Sequence, residues 1–170
     1  MNVSVPKSLA RLAMEIEGWL ELGAPDQALA RLRPLLESTG AREAGLFFRA
    51  KALVGLDRFG EALDCIGELR PFHRDPEWLD LTEAWCLKRT GQVAGAADCM
   101  ERLLRRCHRS AIGHYNLGCY LALLGKTDRA IDEVSLACGM EAEFREHART
   151  EEDLASLRAD ERFRRLLGNG

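Results

Sequence analysis

The sequence predicts an all-α fold, a solenoid of four helix-turn-helix repeats plus a C-terminal capping segment. Three observations predict it. Ala28, Ala62, Ala96 and Ala130 stand 34 residues apart, and a fixed period of this size marks one supersecondary unit copied along the chain. A turn residue precedes each alanine at the matching place: Gly23, Asp57, Gly91 and Gly125. Aromatic residues make up only 6% of the chain against 46% hydrophobic, so the core must be built from Leu, Ala and other aliphatics, which favour helices.

The elements run in order. Residues 1–8 lead in, and windows 9–42, 43–76, 77–110 and 111–144 each read as two helices about a tight turn; residues 145–170 form the cap and tail. In the first helix of each window the aligned residues Ile16, Ala50, Ala84 and Gly118 are mostly small, with Trp19, Leu53, Leu87 and Leu121 three positions later. In the second, the alanines are followed by Leu32, Ile66, Met100 and Val134, then by Leu35, Leu69, Leu103 and Ala137. Spacings of three and four put these residues on one helical face. Small residues let the paired helices approach closely, and glycine at the turn accepts the left-handed backbone that ends a helix. Asp57 takes that place in the second window, a conformation Asp tolerates better than most residues. Pro34 falls inside the second helix of the first window and predicts a bend or break there. Asp75-Pro76-Glu77 reads as an N-cap followed by proline in a first turn. Thr150-Glu151-Glu152-Asp153 reads as a capping box opening a further helix.

These features resemble the tetratricopeptide repeat family, whose unit is a 34-residue helix–turn–helix. The fourth window carries the likeness best, in Tyr115-Asn116-Leu117-Gly118, Tyr120-Leu121, Gly125 and Ala130-Ile131. The family's usual tryptophan site is occupied by Leu12, Leu46, Asp80 and His114. The resemblance covers residues 9–144 and implies a right-handed α-α superhelix whose concave groove is lined by the first helices. The stretch from Asp153 to Leu167 resembles the tail that closes many bacterial arrays of this family. There Leu154, Leu157, Phe163, Leu166 and Leu167 can cover the apolar end of the last repeat, as terminal repeats require.

By repeat position the inward residues are Ala13 and Glu17 in the first window and Phe47, Lys51 and Val54 in the second. In the third and fourth they are Trp78, Leu81, Trp85, Lys88, Tyr115, Asn116 and Cys119. From this set we take Phe47, Lys51, Trp78, Leu81, Trp85, Lys88, Tyr115, Asn116 and Cys119 as the candidate partner-binding groove, since aromatics in a groove are typical peptide anchors. The alternative is that the aromatics pack repeats together or lie under the C-terminal segment. A subset of the family grips a peptide's terminal carboxylate with Lys, Asn and Arg, but those sites hold mostly Ala13, Glu17, Trp78 and Thr82, and Glu17 would repel a carboxylate. The implied function is a non-enzymatic scaffold or adaptor for a protein or peptide partner. Alternatives are a chaperone-like holder of an apolar client segment and a self-assembling structural oligomer, in the simplest case a homodimer.

Other classes find less support. The net charge is −3 and the isoelectric point near 5.9, so no global basic field recruits nucleic acid or anionic membrane. Arg102, Arg105, Arg106 and Arg109 form a stripe at helical spacing, read as a solvated outer face rather than a phosphate-binding one. No apolar run is long enough to span a bilayer. The N-terminal stretch mixes charges into its apolar residues, unlike a signal peptide, which makes the cytoplasm the default compartment. Cys65, Cys86, Cys99, Cys107, Cys119 and Cys138 show no metal-like spacing and read as small hydrophobes. No nucleophile elbow, phosphate loop or dinucleotide fingerprint occurs, so neither catalysis nor a metal or cofactor is expected.

Overall fold

The computed structural model describes residues 5–73 and 75–168. Residues 1–4 of the expected lead-in, Arg74 of the second window and residues 169–170 of the tail lie outside the described residues. The described chain is all-α: α1 (Lys7–Glu21), α2 (Pro25–Ala30), α3 (Arg33–Glu37), α4 (Arg42–Gly55), α5 (Phe59–Leu69), α6 (Pro76–Arg89), α7 (Val93–Arg106), α8 (Ala111–Leu123), α9 (Thr127–Met140), α10 (Glu143–Thr150), a 3-10 segment (Glu152–Leu157) and α11 (Glu161–Leu166). Its contacts divide it into two compact units, Met1–Leu79 and Asp80–Gly170, with α6 running through the division.

In the first unit α1 packs on α2, while α2 and α3 pack on α4, which pairs with α5. The α1–α2 and α4–α5 turns pass through left-handed backbone at Gly23 (φ 69°) and Asp57 (φ 55°). Ile16, Ala28, Ala50 and Ala62 all sit in the core. The break expected at Pro34 is present: the helical stretch after Gly23 splits into α2 and α3. Pro34 stands in the first turn of α3, where its missing N–H interrupts no helical hydrogen bond. At the start of α6 the Asp75 side chain accepts a hydrogen bond from the Trp78 N–H at 3.0 Å, the expected N-cap.

In the second unit α8 packs against both α7 and α9. Gly91 (φ 80°) and Gly125 (φ 71°) close the α6–α7 and α8–α9 turns. Ala84, Ala96, Met100, Leu103, Ala130, Val134 and Ala137 join one core with Phe144, Leu154, Leu157, Phe163 and Leu167 of the C-terminal segment. The expected cap residues are therefore core, apart from Leu166, which is half-buried against it. The entry to this segment differs in detail from expectation. Glu151 rather than Thr150 supplies the cap, accepting from the Asp153 N–H at 3.2 Å. The element it opens is a 3-10 turn and not an α-helix. The Thr150 hydroxyl is turned back toward the His147 carbonyl, which removes it from the capping position.

Candidate functional site

The candidate groove residues fall in both units. On α4 of the first unit, Phe47 is buried in an aromatic cluster. Its ring stacks on His73 at 5.2 Å between centroids and tilts against Trp78 at 4.5 Å. His73 meets Trp78 edge-on at 5.5 Å and faces Glu43 at 3.2 Å through Nδ1. The Lys51 ammonium lies 5.6 Å from the Phe47 ring centroid, close enough for a cation–π contact. Phe47 is thus a packing residue, with Lys51 and Trp78 half-buried at its edge. A separate cleft opens between α1 and α4, lined by Ala10, Ala13, Met14, Glu17, Ala44 and Phe48 among others. Two of the inward positions, Ala13 and Glu17, lie in it. Met14, 70% exposed, falls one position off the inward face, so repeat position does not point to it.

In the second unit Trp85 is 43% exposed. Lys88 Nζ and the Arg89 guanidinium carbon each lie 5.6 Å from its ring centroid. Lys88 also pairs with Asp153 of the 3-10 segment. Leu81 and Asn116 are half-buried. Tyr115 and Cys119, expected where a partner reaches them, are only 5% and 3% exposed. The Tyr115 ring is stacked on Phe144 of α10 at 4.8 Å and meets His147 edge-on at 6.4 Å. The 3-10 segment lies against α8, the helix that carries both residues. Burial pushes the Tyr115 hydroxyl and Cys119 thiol well above their usual pKa values, aided by nearby charge at Glu151 and Asp153. The C-terminal segment thereby takes these two residues into the core. The sequence signal for this lay in Phe144, the last residue of the fourth window.

The cysteines behave as small core residues. All six are free, and only Cys107 is exposed. Burial raises Cys65 and Cys86 to about 11 and Cys99 to about 12, so these thiols stay protonated at neutral pH. Among the described residues no group of three or more His, Cys, Asp or Glu could hold a metal ion. No described helix is long and apolar enough to cross a membrane.

No family model matches the chain, and no curated protein matches it. Solved structures do. MamA residues 41 to the end from Desulfovibrio magneticus RS-1 align with a TM-score of 0.73 at 16% identity, covering 94% of each chain. A MamA RS-1 ArsTM double mutant aligns at 0.71 and 16%, covering 92% of this chain and 93% of that one. YrrB, described as a TPR protein with an unusual peptide-binding site, aligns at 0.69 and 17%, covering 91% and 80%.

The chain has the tetratricopeptide-repeat fold. Within that fold, two of the positions usually given to tryptophan hold buried polar groups. Asp80 is fully buried and accepts from Arg102 Nε at 2.9 Å and from Arg106, while Arg102 also reaches Glu83. Burial works against the Arg102 charge, but the hydrogen bond and charge of Asp80 outweigh it and raise its pKa. Of the arginine stripe expected to face solvent, Arg105, Arg106 and Arg109 are exposed and Arg102 is half-buried; Arg102 and Arg106 also neutralise the buried Asp80 carboxylate. His114 has Glu133 at 2.6 Å from Nδ1 and the His108 carbonyl at 3.0 Å from Nε2. A buried polar group needs such partners to offset its lost hydration.

Proposed function

We propose that the chain is a non-enzymatic interaction scaffold, built of repeats in windows 9–42, 43–76, 77–110 and 111–144, that binds a peptide or helical segment of a protein partner. The observation that carries this reading is Trp85. A tryptophan left 43% exposed, with Lys88 (itself paired with Asp153) and Arg89 over its ring, presents a large apolar group to solvent. This is the residue type of an interface anchor, suited to an apolar partner side chain. The fold is shared with YrrB, whose description includes a peptide-binding site, and that likeness supports the same class of partner here. The available surface is narrower than the full candidate set. In the unit Asp80–Gly170, Leu81, Trp85, Lys88 and Asn116 remain at least partly accessible, while Tyr115 and Cys119 are buried. Free, mostly buried thiols suit a reducing compartment such as the cytoplasm.

Selection of binders from a random peptide library on the immobilised protein tests the proposal. Selected peptides are expected to lose about tenfold or more in affinity for Trp85→Ala, as anchor residues do. Unchanged affinity across the selected set would place the binding surface elsewhere.

A further inference from the structure

Helix α9 carries an apolar ridge. Leu136 and Met140, one helical turn apart, are 48% and 39% exposed, and Asp132 stands one turn before them on the same face. Beside the ridge runs a groove between α7 and α9, walled by Leu104, Arg105 and His108 from α7 and by Arg129 and Glu133 from α9. Most charges in the groove already have partners: Arg129 pairs with Glu101 at 3.0 Å, and Glu133 faces His114 Nδ1 at 2.6 Å. Arg105 on the far wall and Asp132 on the ridge are both exposed and make no ion pair among the described residues. Single exposed leucines are ordinary on a protein surface. An apolar ridge set between two unpaired charges of opposite sign calls for a reason.

We propose that this face docks a second copy of the chain, the ridge of each copy entering the groove of the other about a twofold axis. Helices pack ridge into groove, and here both parts lie side by side on one surface, as self-docking requires. Helical spacing turns Arg129 and Glu133 toward α7 and leaves Asp132 on the side of the ridge away from it. A twofold axis running along the groove therefore brings the partner's Asp132 to the α7 wall, where Arg105 stands. The same rotation forms the second pair, the partner's Arg105 with Asp132 of this copy. Leu136 and Met140 then rest against the half-buried Leu104 wall, and the ion pairs already made in the groove stay intact. Any other partner would have to offer the same two charges at the same separation, which a second copy does by symmetry. The Trp85 surface takes no part, so this contact and peptide binding can fail separately.

Sedimentation equilibrium of the full chain is the test. A monomer–dimer equilibrium is expected, with a dissociation constant on the order of 100 μM, the range of small transient contacts. Leu136→Lys should weaken it at least about tenfold and leave the melting temperature unchanged, because the side chain is exposed. Arg105→Asp and Asp132→Arg should each weaken it about tenfold, since each sets like charges against one another. The two variants mixed in equal amounts should associate as tightly as the wild type, because both contacts across the axis then join opposite charges. Trp85→Ala is expected to leave the dimer unchanged. A chain that stays monomeric up to about 1 mM overturns the proposal and leaves the face to a partner of another kind. A dimer that survives Leu136→Lys places the contact on another surface. Failure of the mixed variants to associate rules out the twofold pairing of Arg105 with Asp132.

Discussion

Gly118 shows how closely the paired helices approach. A Cβ at this position would lie 2.5 Å from Val134 Cγ2 and 3.1 Å from the Ala130 carbonyl oxygen. Val134 is buried and β-branched, so its methyl has little freedom to turn aside. Alanine would improve the intrinsic propensity of α8 by roughly 1 kcal/mol, but overpacking costs about 1–3 kcal/mol, and the clash should win. Gly118→Ala is therefore expected to lower the melting temperature. Gly139, on α9 of the same unit, has open space where its Cβ would stand, and Gly139→Ala should leave the melting temperature equal or higher. Calorimetry on the two variants decides the matter; the opposite order would show that α8 and α9 are not in van der Waals contact at Gly118. Ala28, Ala62, Ala96 and Ala130, all fully buried, answer the same constraint with a single methyl. That is why a spacing of small residues reads as helix pairing before any contact is seen.

Local backbone chemistry carries much of the information at the scale of the element. The left-handed turns at Gly23, Asp57, Gly91 and Gly125, the split between α2 and α3, and the cap at Asp75 are all legible because each depends on one or two residues and their neighbours. The Asp75 cap has a measurable consequence: it satisfies the Trp78 N–H at the start of the helix that bears Trp85. Asp75→Ala is expected to cost about 1 kcal/mol, and Asp75→Ser to recover most of it, measured from urea midpoints. Equal loss in both variants would assign the effect to something other than the cap. Less legible are features that depend on partners far along the chain. Asp80 reads in sequence as a missing tryptophan, and only the return of α7, bringing Arg102 and Arg106 to it, shows it to be a buried carboxylate neutralised by two partly exposed arginines. The arginine stripe misleads for the same reason: helical spacing places side chains on a face but does not say what that face meets. Of the candidate groove residues, Trp85 and Lys88 reach solvent, whereas Phe47 and Tyr115 are claimed by aromatic neighbours, His73 and Phe144, that their repeat positions do not announce.

At the scale of the molecule the C-terminal segment has two roles. It closes the core of the unit Asp80–Gly170, and it lies on the helix faces that a bare array would leave open. Phe144, Leu154, Leu157, Phe163 and Leu167 belong to the same buried cluster as Leu103, Leu121 and Val134. Removing the segment would leave Tyr115 and Cys119 uncovered and strip apolar contacts worth about 2–5 kcal/mol for a single large side chain. A chain ending at Ala142 is therefore expected to lose the cooperative melting of this unit and to bind the dye ANS, as loosely packed states with exposed apolar surface do. The single substitution Leu154→Ala should give a milder version of the same change, lowering the melting temperature without dye binding at room temperature. If the shortened chain melts as cooperatively as the full one and leaves the dye dark, the segment is a loosely attached cover and not core. In that case Tyr115 would return to the partner-accessible surface, and the groove available on α6 and α8 would be wider than Leu81, Trp85, Lys88 and Asn116 alone.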